Sequence, residues 1–483
     1  MFLGIDLGTS AVKVVLLDTD DHIVDEQSAP LDVAQPQPTW SEQDPNAWWT
    51  ATDLAVRTLG ERTSLQGVEA IGLSGQMHGA TLLDASFAPL RPAILWNDGR
   101  SADACVELER RVPKLRDITG NLAMPGFTAP KLVWLKAHEP AVFARVERVL
   151  LPKDYLRLRM TGEFASEMSD ASGTLWLDVG ARRWSSDMLA ACELDEGAMP
   201  ALYEGSEATG TLRPEVARAW GMREVPVAGG AGDQAAGAAG CGAVRPGEAF
   251  LALGTSGVYF VSGDRFRPNP ARAVHAFCHC VPDTWHQMSV ILSAASCLAW
   301  VTKLVGATDE ASLLAEVERD DRPSRLLFLP YLSGERTPHN DPDATGVFVG
   351  LGHETGRADL ARAVLEGVAF ALADAQDVLL EAGAEIGEVS VIGGGARSAL
   401  WGRILASVLG RPLLYRVGGD VGPALGAARL GRLCLGSEAP ADVCRAPPVD
   451  RVAEPDAELV DRYGARLLEF RELYQRLKGD RST

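Results

Sequence analysis

Positive charge is scarce in this chain of 483 residues: 46 Lys and Arg stand against 65 Asp and Glu, a formal net charge of −19. Nucleic acid and anionic membranes both reward a basic face, so neither is expected as the principal partner. An anionic ligand would have to be held by local devices: backbone N–H groups, helix N-termini, a metal ion or a few placed Lys and Arg. Long apolar runs are missing too. The most apolar later segment, 290–301, is broken by Ser293 and Ser296 and runs into Lys303, far short of a bilayer span. The opening MFLGIDLG has no basic stretch and meets an acid at Asp6, unlike a secretory signal. Eight scattered cysteines then predict reduced thiols and a cytoplasmic location. Cys278-His279-Cys280 has no second ligand pair at metal-binding spacing, and its alternation predicts a core strand with both sulfurs on one face.

Two nucleotide signatures are also absent. No GxxxxGK[ST] occurs, which disfavours a P-loop, and no glycine fingerprint sits in a first βαβ unit with an acid beyond it, which disfavours a dinucleotide fold.

What is present is a repeated turn. Residues 2–17, FLGIDLGTSAVKVVLL, read as a β-hairpin whose turn, Leu7-Gly8-Thr9-Ser10, offers a close backbone approach and hydroxyl and N–H donors, with Asp6 just before it and Lys13 just after. Residues 250–261, FLALGTSGVYFV, repeat the plan with Gly254, Thr255 and Ser256 about half a chain later. One such turn is ordinary hairpin chemistry; two, in a chain too long for one core, predict two related lobes that hold a polyphosphate between them. The lobes are expected at 1–223 and 224–483, because the style of the first returns near 225.

The remaining elements follow from pattern. A third strand is expected at 23–28, then a helix capped by Asp44 with Pro45 at its first position, running to about Leu59. Strands are expected at 68–73, 80–83 and 92–96, and a helical, irregular insertion at 102–211. A strongly periodic helix should cover 358–382. A strand at 389–392 should lead through Gly393-Gly394-Gly395 into a helix from Ser398 to about Leu409, and an amphipathic helix from 456 to 477 should close the chain.

Three constellations carry chemistry. Asp233, set among small residues in GGAGDQAAG after an apolar strand, reads as a general base facing a ligand, with a helix N-cap as the structural alternative. Gln76, Met77 and His78 give amide, thioether and imidazole in one strand-end loop, and Asn97 adds an amide nearby, a set suited to a polyhydroxy compound. Gly394, Gly395 and Ser398, between strand and helix, permit close approach of a nucleotide.

The same residues carry a family resemblance. GIDLGTSAVKVVLLD at the start, WSEQDP (40–45), GQMHGATLLD (75–84), LRPAILWNDGR (90–100), the run LLPKDYLRLRMTGEFASEMSDASGT (150–174), LGTSGVYF (253–260), FLPYLSGERTPHN (328–340) and GGGARS (393–398) resemble the FGGY family of carbohydrate kinases from end to end. The resemblance implies an α/β, two-lobed fold of the actin-like and ribonuclease H-like ATPase kind, with mixed sheets flanked by helices and an interlobe cleft. It implies ATP and Mg²⁺, transfer to the terminal hydroxyl of D-xylulose with ribulose or a polyol as alternative acceptor, and a homodimer. By position, Met77 and His78 would contact the sugar, Asp233 would take the hydroxyl proton, and Asp6 with Asp233 would lie at the metal. Gly8, Thr9, Ser10, Lys13, Gly254, Thr255, Ser256, Gly394, Gly395 and Ser398 would hold ATP. Gln234 and Ala231 depart from close relatives, which loosens the choice of sugar. An actin-like or chaperone-like ATPase, with water as acceptor, is the competing class.

Overall fold

The first strand is apolar on both faces because both faces are covered. Phe2–Leu7 is buried except at Asp6, pairs antiparallel with Ala11–Leu17 (Phe2 opposite Leu17, Leu7 opposite Val12) and parallel with Ala70–Gly75. The computed structural model describes residues 1–319, 324–417 and 422–479. Across the first sheet the strands run Ile23–Pro30, Ala11–Leu17, Phe2–Leu7, Ala70–Gly75, Pro226–Ala228 and Ala208–Thr211. The second sheet repeats this order with Trp285–Ile291, Gly257–Gly263, Ala249–Leu253, Val389–Ile392 and Leu413–Arg416. In each, a hairpin is followed by two strands parallel to its first member. The duplication read from two four-residue turns thus extends through whole sheets.

Local signals place the helices. Asp44 accepts the Asn46 N–H at 2.9 Å and starts Pro45–Arg62, whose Trp48, Ala51, Ala55 and Leu59 are buried while Leu54 faces solvent. Arg357–Glu381 is buried almost all round, as its apolar stripe requires beneath the second sheet. Ser398 accepts the Trp401 N–H at 3.1 Å and opens Ala399–Leu409, and Ala457–Gly479 closes the described chain. Among the described residues no helix is long and apolar enough to cross a membrane.

Two features differ from the sequence reading. Pro226–Ala228 and Ala231–Gly232 pair with Ala70–Gly75, so the first sheet still recruits residues beyond the division expected at 223/224. Further, Gly422–Leu433, from the second half, lies on the first sheet and against Asp233–Cys241. The strand His275–Cys278 stops short of Cys280, because the His279 N–H turns to Thr284 O; Cys278 Sγ then meets Val179 O and Cys280 Sγ meets Ala235 O, so the two sulfurs do not share a strand face.

Glycine lets the sheet and these two helices touch backbone to backbone. A Cβ at Gly72 would fall 1.7 Å from Ala427 O, one at Gly426 1.8 Å from Ala236 O, and one at Gly4 2.1 Å from Ala424 O. Arg429 closes the assembly: its guanidinium donates to Ala239 O and Gly240 O at 2.9 Å each, satisfying the end of Asp233–Cys241, and pairs with Asp21. Gly72→Ala is therefore expected to cost about 3 kcal/mol or more, the upper range for overpacking. Gly221→Ala, at φ 64° with no described residue within 4 Å of the added carbon, should cost roughly 1–2 kcal/mol. Urea unfolding midpoints compare the two, and equal losses would contradict the backbone-contact account.

Candidate active site

Three parallel strands of the first sheet end side by side, and the candidate residues sit on those ends. Asp6 is in register with Ser74, and Ser74 with Ala231; one step on, Leu7, Gly75 and Gly232 are aligned, and Asp233 follows Gly232 directly. The two acids are thereby brought together. Crowding by protein lifts Asp6 to about 6 against the opposing pulls of the Ser74 hydroxyl and the Lys13 ammonium. Asp233 is lifted to about 7, by burial first and then by the charge of Asp6, with the Gln234 N–H pulling it down.

Both readings of Asp233 find something in the geometry. Gly232 occupies the cap position, Asp233 is the first helical residue, and its Oδ1 accepts the Gln234 N–H at 2.8 Å. One carboxylate oxygen is thus tied to its own helix, while the group remains partly open to solvent. Asp6 keeps Oδ1 buried without a hydrogen-bond partner among the described residues. An unpaired buried carboxylate oxygen is the atom a hard cation would take, and Mg²⁺ is usually bound by one or two carboxylates plus substrate phosphates. Asp6, with Asp233 beside it, fits that requirement.

The 76–79 loop follows from the Ala70–Gly75 strand. His78 has φ 70°, an uncommon conformation for a side-chain-bearing residue, and its carbonyl is pinned by Lys131 Nζ at 2.9 Å and Thr128 Oγ1 at 3.1 Å. Its ring packs edge-on to Phe127, and Nδ1 lies 2.6 Å from Gly173 O. Burial pushes the imidazole down to about 3, so it is neutral; since a carbonyl only accepts, Nδ1 carries the proton and Nε2 is left as an acceptor. Met77 lies against Gly232, where a Cβ would come 2.9 Å from its Sδ, so the thioether adjoins the residue before Asp233.

Gln76 is differently employed. Its Nε2 donates to Gln43 Oε1 at 2.8 Å and its Oε1 accepts from Thr9 Oγ1 at 3.0 Å, so the carboxamide braces the first turn inside the protein. Gln43 in turn donates to Thr9 O at 2.7 Å, and Trp96 Nε1 donates to Thr9 Oγ1 at 3.0 Å. Asn97 is exposed, Ser10 is exposed at the turn, and Lys13 forms an ion pair with Glu26 at 3.2 Å.

The second turn belongs to another place. Thr255 lines a cavity of about 820 Å³ together with Ser296, Gly394, Gly395, Ser398 and Trp401. Gly254 and Thr255 are exposed, their carbonyls taken by Ala295 N–H and Ala294 N–H at 2.9 Å each. The start of Ala399–Leu409 adjoins this cavity, giving a phosphate a positive helix end. Asp6, Asp233 and the first turn do not line it. The three glycines differ in kind: Gly393 needs φ 89°, and a Cβ at Gly395 would meet Leu253 Cβ at 2.9 Å, but among the described residues nothing lies within 4 Å of a Cβ at Gly394. Protein packing does not require glycine at 394; a ligand approaching the backbone would.

A buried charge network behind the strand ends, Lys153, Asp154, Arg157, Glu167 and Asp170, was not assigned a role from the sequence. The acids and bases of LPKDYLR and SEMSD look like ordinary helix-surface charges until they are seen folded inward.

Comparisons with known proteins agree with this architecture. The FGGY family of carbohydrate kinases matches residues 1–240 with its N-terminal domain and residues 249–433 with its C-terminal domain. The chain is 57% identical over 479 residues to the xylulose kinase of Escherichia coli (strain K12), covering 99% of both chains. It is 55% identical over 480 residues to that of Klebsiella pneumoniae, again covering 99% of both. The crystal structure of a xyloylose kinase from Brucella ovis superposes with a TM-score of 0.96 at 51% identity, over 99% of each chain. With both family domains present in order and relatives this similar along its whole length, the chain belongs to the FGGY family of carbohydrate kinases.

Proposed function

We propose that this carbohydrate kinase transfers the γ-phosphoryl group of ATP to the terminal hydroxyl of D-xylulose, giving D-xylulose 5-phosphate and ADP, with Asp233 as base. The observation that carries the reading is the pair of acids at the ends of two strands that flank Ala70–Gly75, bordered by the Met77–His78 loop. The relatives at 55–57% identity, described as xylulose kinases, support the choice of acceptor.

Phosphoryl transfer asks for positioning and charge neutralisation more than covalent chemistry. His78 Nε2 accepts a hydrogen bond from a sugar hydroxyl and Met77 packs against the carbon chain. The terminal hydroxyl oxygen attacks the γ-phosphorus, its proton passes to the Asp233 carboxylate, and the bond from that phosphorus to the bridging oxygen breaks, releasing ADP. A group lifted to about 7 changes protonation at working pH, which suits a base. Mg²⁺, when bound at Asp6, supplies charge neutralisation on the phosphates. The cavity at Thr255, Gly394 and Ser398 takes the nucleotide, and Trp96 and Gln76 hold the first turn in shape. The resemblance that implies this chemistry also implies a homodimer working in the cytoplasm, and light scattering checks the oligomer.

Asp233→Asn is expected to lower kcat on D-xylulose by about 10² to 10⁴ in a coupled ADP assay while the unfolding midpoint stays near that of the unaltered protein; near-normal turnover would sink the assignment. A panel of pentuloses and polyols in that assay ranks the acceptors, and ADP release equally fast without any sugar would favour the ATPase class instead. Gly394→Ala should leave thermal stability unchanged and raise the KM for ATP about tenfold, as a methyl group intrudes on ligand space only; an unchanged KM would place the nucleotide elsewhere.

A further inference from the structure

Five ionisable side chains next to the strand ends have no exposed side-chain surface and take no part in the chemistry above: Lys153, Asp154, Arg157, Glu167 and Asp170. Removing charges from water is costly, so their arrangement calls for a reason beyond stability. Lys153 Nζ lies 2.8 Å from Asp154 Oδ1, 3.2 Å from Glu167 Oε1 and 3.0 Å from Asp170 Oδ2, and Arg157 reaches Asp154 Oδ1 at 2.7 Å. Glu167 then caps the short helix Met168–Ser172, accepting the N–H groups of Ser169 at 2.7 Å and Asp170 at 2.9 Å.

From this core, bonds reach outward to the active-site backbone. Arg157 donates to Gly229 O. Ser169 Oγ donates its proton to Glu167 Oε1 at 3.0 Å, which leaves its lone pairs to accept the Gly232 N–H at 3.1 Å. Gly232 is the residue before Asp233. At the other end of the same helix, the Gly173 carbonyl takes the proton of His78 Nδ1, and a Cβ at Gly173 would come 2.6 Å from the His78 ring. One five-residue helix is therefore tied at its start to the strand that carries the base and at its end to the loop that meets the sugar.

We propose that Ser169 is a positioning residue for Asp233, its hydroxyl oriented by the Glu167–Lys153 ion pair, and that the hydrogen bonds of Glu167, Ser169 and the Gly173 carbonyl set the separation between base and acceptor loop. The proposal rests on the reading of Asp233 as base. A displacement of about 1 Å in such a geometry can cost on the order of 10²-fold in rate. Loss of the hydroxyl frees Gly232, so the effect should fall on kcat rather than on nucleotide binding.

A double-mutant cycle between Ser169→Ala and Asp233→Asn tests it, with kcat and KM for D-xylulose and ATP and the unfolding midpoint read for each protein. Ser169→Ala alone is expected to lower kcat about 10- to 100-fold with the KM for ATP unchanged, and to add nothing once Asp233 is Asn. Ser172→Ala is the control: that hydroxyl, on the same helix, donates to Met168 O at 2.8 Å and accepts the Cys278 N–H at 3.0 Å, away from Gly232. Its kcat should stay near that of the unaltered enzyme even if stability falls. Near-normal kcat in folded Ser169→Ala, an equal loss in Ser172→Ala, or a full further loss in the Asp233→Asn background would each overturn the proposal. Normal turnover by Asp233→Asn alone would instead overturn the reading of the base. Should Ser169→Ala not fold, Ser169→Cys, close in volume and a poor acceptor, is carried through the same cycle with the same criteria.

Discussion

The charge of Asp6 bears on Asp233 across the end of Ala70–Gly75, and most of the molecule is arranged so that this electrostatic tension persists. Each carboxyl is already driven toward its neutral form by crowding, and Asp6 Oδ1 has no hydrogen-bond partner among the described residues. Left to themselves such groups would separate or admit water. Holding them where they are lowers folding stability, and a cation with a polyphosphate would relieve the strain. The site is thus a place whose electrostatics are completed by substrate, a common property of sites that must bind charge and then release it.

Rigidity comes from backbones that touch. Helix Asp233–Cys241 is built mostly of Ala and Gly, so Gly422–Leu433 can settle against it and against Phe2–Leu7 and Ala70–Gly75 with backbone meeting backbone at Gly4, Gly72 and Gly426. Small residues leave little free volume and few rotamers, so the angle of the helix that begins at Asp233 is set by main-chain contact. Arg429 then secures the far end of that helix through its last carbonyls. Asp233 is fixed from one end by packing and from the other by the hydrogen bonds around Gly232.

This division of labour explains what could be read in the chain beforehand. Hairpin turns, the Asp44 and Ser398 caps, and the long stripe of 357–381 are local signals, and each produced its element where expected. Asp233 and His78 stood out because each is a reactive side chain on open backbone at a strand end. Gln76 stood beside them but turned inward, since its partners Gln43 and Thr9 are far away in sequence and no local pattern announces them. Continuation of the first sheet past 224 was hidden for a related reason: a two-residue strand such as Ala231–Gly232 has no periodicity to detect. The charge network was the least visible, because helix-surface spacing and burial are indistinguishable until the partners are in place.

That network also shows why balance matters more than count. Three acids and two bases carry an odd negative charge, which a dry interior would tolerate poorly. Asp170 eases it: burial and the neighbouring Asp154 and Glu167 push its carboxyl up against the pull of Lys153, which favours its neutral form beside four charges that pair two against two. Replacing such a cluster with apolar residues of similar volume can leave stability unchanged or raise it, so its retention speaks for geometry. Apolar side chains could fill the same space, yet they could not orient the Ser169 hydroxyl toward Glu167 or grip Gly229 by its carbonyl. Directional bonds at both ends of 229–232 give Asp233 a fixed address that packing alone would leave loose.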